Sequence, residues 1–198
     1  MKHLFILTEE RSLKIVLETL LPMVLPENVL FRVIPHDGKQ DLERSLPKTI
    51  PGLSKVPEAR IIISRDKDES DCVLLKEKLV KLINDHCQCP YKIRIVCKNL
   101  ESWFLGDLPA VQSAYNRFQP GKYQMTSDFR DVDSIGNPTQ LLQRIVPELQ
   151  NSVSLPKLKV AREISAGMVV DRNKSISFIN FFKAIRSLIN DGDKNLDI

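Results

Sequence analysis

Four short apolar-rich runs, each followed by a stretch with helical spacing, constrain the fold of this chain more than any other feature. Leu4-Phe5-Ile6-Leu7 and Ile61-Ile62-Ile63 lack polar alternation altogether; Val29 to Ile34 and Lys92 to Val96 complete the set. Continuous apolar runs of this length suit strands buried on both faces, as in a parallel sheet covered by helices. His3 to Thr8 is thus the first expected strand, and Ala59 to Ser64 the third. Ser12 caps an expected helix with apolar positions Leu13, Val16, Leu17, Leu20 and Leu21, ended by Pro22 and Pro26. Pro35-His36-Asp37-Gly38 closes the second strand, and a short helix from Asp41 is expected to stop before Pro47. A helix opened by Ser70 or Asp71 runs to about His86, with Val73, Leu74, Leu79, Val80 and Leu82 on its apolar side. Alternating strands and helices argue for right-handed βα units.

After about residue 98 the pattern becomes helical: Leu100 to Gly106, Leu108 to Asn116, Pro138 to Val146, Leu155 to Met168 and Ile176 to Asn190. The polar stretch from Gln119 to Asn137 reads as a long loop, and the tail after Asn190 as a fraying end. The expectation is one α/β domain over 1–198. Residues 1–98 form a Rossmann-like core with a mostly parallel sheet flanked by helices, and 99–198 form a mainly helical extension packed on it. A chain of 198 residues is long enough for such a core.

The strand ends carry the chemistry. Glu9-Glu10 follows the first strand, and Asp66-x-Asp68-x-x-Asp71 follows the third. Carboxylates are poor strand residues and are costly at buried sheet ends unless paired or bound to a cation. In open parallel sheets ligands bind at the carboxyl ends of the strands. Asp66 and Asp68, two apart, share one face of an extended chain, which suits a hard divalent cation. The competing reading is a solvated acidic loop and helix cap. Asp71 serves either the cation or the dipole of the next helix. Glu9 is favoured over Glu10 for the site, and Glu10 for the first turn of the Ser12 helix. Both acids also make sense as dipole-compensating residues alone.

Other groups fall at the same edge. His36-Asp37-Gly38-Lys39 ends strand two, and Lys39 is either a phosphate contact or a solvated turn residue. Glu101, in Leu100-Glu101-Ser102-Trp103, lies just past strand four, as a site acid or a structural one. Arg172-Asn173-Lys174-Ser175-x-Ser177 precedes the last helix. Its cations Arg172 and Lys174 offer a phosphate grip, while Ser175 and Ser177 serve equally as ordinary N-caps. Three histidines leave no defensible Ser/His/Asp triad. The cysteines Cys72, Cys87, Cys89 and Cys97 show no paired zinc spacing beyond His86-Cys87-x-Cys89, so a reducing, cytoplasmic setting is expected. A net charge of +4 permits a polyanionic partner without requiring one. No apolar run is long enough to span a membrane.

Glutamate after strand one and Asp-x-Asp after a later strand resemble the Toprim domain of topoisomerases, primases and related nucleases. The ordered set Leu7-Thr8-Glu9-Glu10-Arg11-Ser12, Gly38-Lys39-Gln40-Asp41-Leu42, Asp66-Lys67-Asp68-Glu69-Ser70-Asp71-Cys72, Leu100-Glu101-Ser102-Trp103-Phe104-Leu105-Gly106-Asp107 and Arg172-Asn173-Lys174-Ser175-x-Ser177-Phe178 resembles an uncharacterised prokaryotic family with a Toprim-like core. The resemblance implies a Mg²⁺- or Mn²⁺-dependent nuclease acting on DNA or RNA. It implies Glu9, Asp66 and Asp68 as the catalytic and metal-binding acids. It also implies an ATPase partner of the AAA or ABC type and a role in anti-phage defence. The chain departs from the Toprim pattern at Glu10, where glycine is usual, and at Ser70, where the acid alternation would continue. A non-catalytic Toprim-like subunit of an ATPase complex is the alternative reading. A phosphoacceptor domain, with Asp66 as acceptor and Lys98 as its lysine, is a weaker third.

Overall fold

The computed structural model describes residues 1–67, 71–96 and 99–190, with Asp128 by its backbone only. Four parallel strands, β1 (Lys2–Thr8), β2 (Val29–Pro35), β3 (Ala59–Asp66) and β4 (Tyr91–Val96), form one sheet in the order β2-β1-β3-β4. The chain winds outward from β1 to β2, then crosses back to β3 on the other side of β1. This reversal makes the β1/β3 boundary a topological switch point.

Side-chain parity divides the core between the two sheet faces. Leu4, Ile6, Val33 and Ile62 pack on α1 (Arg11–Val24), while Phe5, Leu7, Ile61, Ile63 and Ile93 pack on α2 (Lys39–Leu53) and α3 (Cys72–Ile83). The α1 face continues without a break into the second half of the chain. There α4 (Leu100–Leu105), α5 (Leu108–Ala114), α6 (Pro138–Ile145), α7 (Lys157–Ser165) and α8 (Ile176–Ile189) follow one another. Helix α7 packs on α1, and α8 lies over β3 and β4. The result is a Rossmann-like parallel sheet flanked by helices, with a largely helical C-terminal half. No helix among the described residues is long and apolar enough to cross a membrane.

Several elements differ from expectation. Helix α2 begins at Lys39 rather than Asp41 and runs through Pro47 and Pro51. Leu42, Leu46 and Ile50 are fully buried at helical spacing. Three such side chains, at roughly 1.5–3 kcal/mol each, are of the size needed to offset the approximately 3 kcal/mol that each of the two interior prolines costs. Pro22 likewise lies inside α1 rather than at its end, and the N-cap there is Glu10, not Ser12. In α3 the buried stripe is Leu75, Leu79 and Ile83, whereas Val73 and Leu74 are exposed. Asp71 sets that phase, because its carboxylate accepts the Val73 and Leu74 N–H groups as the N-cap. The helix ends at Ile83, short of His86. The stretch from Gln119 to Asn137 is not a plain loop. It carries three 3₁₀ turns and buries Phe129, Val132 and Ile135, and Tyr123 stacks on Phe118 with ring centroids 5.6 Å apart. The tail after Asn190 lies outside the described residues.

The motif ahead of α8 is a clamp on α4. Trp103 is fully buried, packing edge-on against Phe178 at 5.1 Å and against Phe181 at 5.3 Å. Asn173 donates from Nδ2 to the Trp103 carbonyl at 2.7 Å and accepts the Ser175 N–H at 2.9 Å. The Lys174 N–H donates to the Gly106 carbonyl at 2.9 Å. A Cβ at Gly106 would overlap Asn173 Oδ1 and lie 2.9 Å from the Ser175 nitrogen. Gly106→Ala is therefore expected to cost about 1–3 kcal/mol, read as a lowered midpoint in urea denaturation with an unchanged m-value.

Candidate functional site

The register of the sheet decides which sequence acids meet. Thr8 pairs with Ser64, so the residues that leave β1 and end β3 lie side by side at the switch point. Glu9 is buried, with its Oε2 accepting the Asp66 backbone N–H at 3.2 Å. Arg65, 4% exposed, places its Nε 3.8 Å from Glu9 Oε2 and 3.6 Å from Glu43 Oε1. Glu43 in turn takes Lys78 Nζ at 2.6 Å. Alternation along β3 explains the division of labour: Arg65 points with Ile61 and Ile63 towards α2 and α3, and Asp66 points with Ile62 towards the α1 side.

On that side Asp66 is partly buried and stands in a field of like charge. Burial, then the carboxylates of Glu10 and Glu9, and Glu101 as well, push its carboxyl well above the usual aspartate range, with Lys157 opposing them. Glu101, in the first turn of α4, is 2% exposed, and its Oε2 is buried without a hydrogen-bond partner. Burial chiefly raises its pKa; Lys157 and a hydrogen bond with Thr139 act against that. Glu10 accepts Lys157 Nζ at 2.9 and 3.2 Å and the Ser12 hydroxyl at 2.9 Å. Burial weighs against the Lys157 charge, but the Glu10 hydrogen bond and the charges of Glu101, Glu10 and Asp66 outweigh it and hold the ammonium above its ordinary pKa.

The remaining sequence candidates are distributed differently. Lys39 is exposed at the start of α2, directly after Gly38, whose φ of 90° suits a residue without Cβ. The Gly38 N–H donates to the Glu9 carbonyl at 3.0 Å, which keeps this turn beside the switch point. Asp71 is exposed and occupied as the α3 cap. Asp68, the second member of the expected aspartate pair, and Lys98 lie outside the described residues. Arg172 is held by the fully buried Asp107, with Nε to Oδ1 at 2.7 Å and Nη2 to Oδ2 at 3.0 Å. Arg172 and Lys174 both line a cavity of about 190 Å³ between Leu105, Pro109 and Phe129. The Arg172 guanidinium is thus already engaged by a carboxylate, because an ionised Asp107 in that position requires a cation.

Sequence reasoning missed Arg65, Glu43 and Lys157. The odd position of Arg65 among apolar residues of β3 was a usable signal for a buried cation. Lys157 had none, because only the α1–α7 packing brings it to Glu10.

Among the described residues, no three His, Cys, Asp or Glu side chains converge as a group that could hold a metal ion. The oxygen donors of Glu9, Asp66 and Glu101 are nevertheless of the type magnesium takes, together with water and substrate oxygens. The orphaned Glu101 oxygen and the disfavoured Asp66 charge fit a site completed by a cation. In the absence of a cation, the raised pKa of Asp66 has a sign that can be checked. Its folded form binds a proton more readily than the unfolded chain, whose aspartate titrates near about 3.9. The contribution of Asp66 to stability is therefore fully present below that value and is lost as pH rises through the elevated folded pKa, so the difference between wild type and Asp66→Asn carries the sign. Thermal melts of both proteins in EDTA across that range should show wild type losing stability relative to Asp66→Asn as pH rises.

No protein-family model, curated protein or solved structure matches this chain.

Proposed function

We propose that the β1/β3 switch point is the active site of a Mg²⁺- or Mn²⁺-dependent phosphodiesterase acting on DNA or RNA, on a Toprim-like core. The observation that carries this reading is the pairing of β1 with β3 in a register that sets Glu9 against the Asp66 backbone, beside the buried Glu101. Carboxylates gathered at a switch point, with burial opposing their charge, are suited to binding a cation. Asp66 and Asp68 would hold the metal, with Glu9 left as ligand of a second cation or as general acid–base. When bound, the cation polarises the phosphate and lowers the pKa of water.

The residues of the chain supply the rest. Arg65 and the Asp66 N–H fix the orientation of Glu9, so one carboxylate is positioned to take the proton of the attacking water. As that water bonds to phosphorus, the bond to the leaving oxygen breaks, and the departing oxygen takes a proton from solvent water while Glu9 later returns its own to solvent. Lys39, at the start of α2, is placed to neutralise a non-bridging oxygen, aided by the dipole of that 15-residue helix. Arg172, already bound to Asp107, contributes less to phosphate binding than Lys174.

The test is cleavage of end-labelled single- and double-stranded DNA and RNA with Mg²⁺, Mn²⁺ or EDTA. Glu9→Gln and Asp66→Asn should each lose cleavage. Metal-independent cleavage, or cleavage unaffected by both substitutions, would overturn the reading.

A second reading has its own support. Arg65 beside Glu9 and Lys157 on Glu10 partly neutralise the acids from within the protein. This is what a non-catalytic Toprim-like subunit of an AAA- or ABC-type ATPase would show. The ATPase partner and the anti-phage role rest on the family resemblance. Absence of Mg²⁺ or Mn²⁺ binding by calorimetry, together with stable co-purification with such an ATPase, would favour this alternative.

A further inference from the structure

The edge strand β4 carries a second feature that the switch point does not use. Lys92 and Arg94 alternate with Ile93, so both point away from α2 and α3 and towards α8. Helix α8 answers with Asn180, Lys183 and Ser187, spaced three and four residues apart and hence on one helix face. Together with Ala184 these residues line a cavity of about 260 Å³. Among the described residues that line it, three are cations and none is acidic.

The groove is built rather than incidental. Lys92 is 9% exposed, and its Nζ donates to the Ser187 hydroxyl at 3.1 Å. The Arg94 Nη1 donates to the Ile93 carbonyl at 3.4 Å, and Lys183 stands exposed at the mouth. Seating Lys92 and Arg94 among packed atoms, beside a third cation, concentrates positive potential in one concave place on a chain of net charge only +4.

Its direction is also informative. Lys92 pairs with Ile62, Arg94 with Ser64 and Val96 with Asp66, and paired residues of a parallel sheet point to the same face. Lys92, Arg94 and Asp66 therefore share one side of the sheet, with successive positions about 7 Å apart along the strand direction. The basic residues form a line that ascends β4 towards the carboxyl edge where Asp66 stands.

The geometry points to the β4–α8 groove as a track for the phosphodiester backbone of a nucleic-acid strand, leading it to the switch point. Lys92 and Arg94 hold backbone phosphates from the floor and Lys183 from the rim, while Asn180 and Ser187 offer neutral hydrogen bonds. A line of cations in an open groove matches a chain of regularly spaced phosphates, with DNA and RNA presenting the same groups. This inference rests on the phosphodiesterase reading only for its destination; backbone binding itself needs neither metal nor cleavage.

The test uses the full chain in EDTA, so that no metal-dependent cleavage occurs. Fluorescence anisotropy would follow a labelled single-stranded 20-nucleotide DNA and its RNA counterpart over a series of salt concentrations. Lys183→Glu is expected to weaken both roughly tenfold at low salt, and Lys183→Gln to reduce the salt slope by about 0.7. Arg94→Gln should act in the same direction. Lys81→Glu, a charge reversal on exposed α3 across the sheet, should leave affinity unchanged, and thermal melts confirm that each variant is folded. Equal affinity of wild type and Lys183→Glu, or equal loss in Lys81→Glu, would overturn the track. Competition by millimolar inorganic phosphate as effective as by unlabelled oligonucleotide would also overturn it, revealing a small-anion site. Binding lost in Lys183→Glu without any metal-dependent cleavage by wild type would uphold the track and defeat the phosphodiesterase reading. Cleavage lost in Asp66→Asn with binding indifferent to Lys183 would do the reverse.

Discussion

Asp66→Asn is expected to weaken Mg²⁺ or Mn²⁺ binding by more than about 100-fold and to abolish metal-dependent cleavage, while the folded protein becomes no less stable. The size follows from position. Loss of an outer-shell partner alone costs about 10–100-fold in metal affinity, and a direct oxygen ligand costs more. The stability half of the expectation comes from the charge. Burial and the carboxylates of Glu10, Glu9 and Glu101 oppose ionisation of Asp66. Asparagine keeps the shape and removes that opposition, so its melting temperature at pH 7.5 in EDTA should equal or exceed that of wild type. Isothermal titration with MgCl₂ and MnCl₂, alongside calorimetric melts, reads both halves. Wild-type metal affinity in the variant would remove Asp66 from the site. A large fall in melting temperature would instead make it a structural residue.

Arg172→Ala is expected to destabilise the protein by about 3 kcal/mol, near the lower end of the range for breaking a buried pair because the arginine is partly exposed. Asp107 is fully buried, and besides the guanidinium it accepts the Val169 and Ala110 N–H groups. Removing the arginine leaves that carboxylate without its cation. For a chain of this size the loss corresponds to roughly 6–12 °C in melting temperature. Lys174→Ala should change stability little, because the contact that holds this residue is its backbone N–H to Gly106. The pair separates two roles that adjacent cations in one motif can play. If Arg172→Ala melted with the wild type yet bound oligonucleotide more weakly, Arg172 would be a phosphate ligand rather than the counter-ion of Asp107.

The elements most legible in the sequence were those with one dominant periodicity. Strands β1 to β4 stand where apolar runs placed them, and α1 buries the expected stripe although its two ends differ, because burying such side chains outweighs competing local preferences. Helix α2 ran against its prolines because Leu42, Leu46 and Ile50 are buried by the sheet, a partner no local window contains. The stretch from Gln119 to Asn137 misled for a related reason. Its anchors Phe129, Val132 and Ile135 recur every three residues, the spacing of 3₁₀ turns rather than of a strand or an α-helix, and its polar composition concealed them.

The candidate site divides along the same line. Sequence by itself determined that acids follow the first and third strands, that Lys39 follows a glycine turn, and that the fold is an α/β sheet. Those features depend on neighbours a few residues away and on the alternation of β and α. Only the tertiary structure decided that β1 lies beside β3, which sets Glu9 against Asp66. It alone brought Arg65 to Glu9 and Lys157 to Glu10, gave Arg172 to Asp107, and closed α8 over Lys92 and Arg94. Charges act through space and along hydrogen bonds rather than along the chain. Their partners therefore emerge only when strand order and helix packing have set the distances.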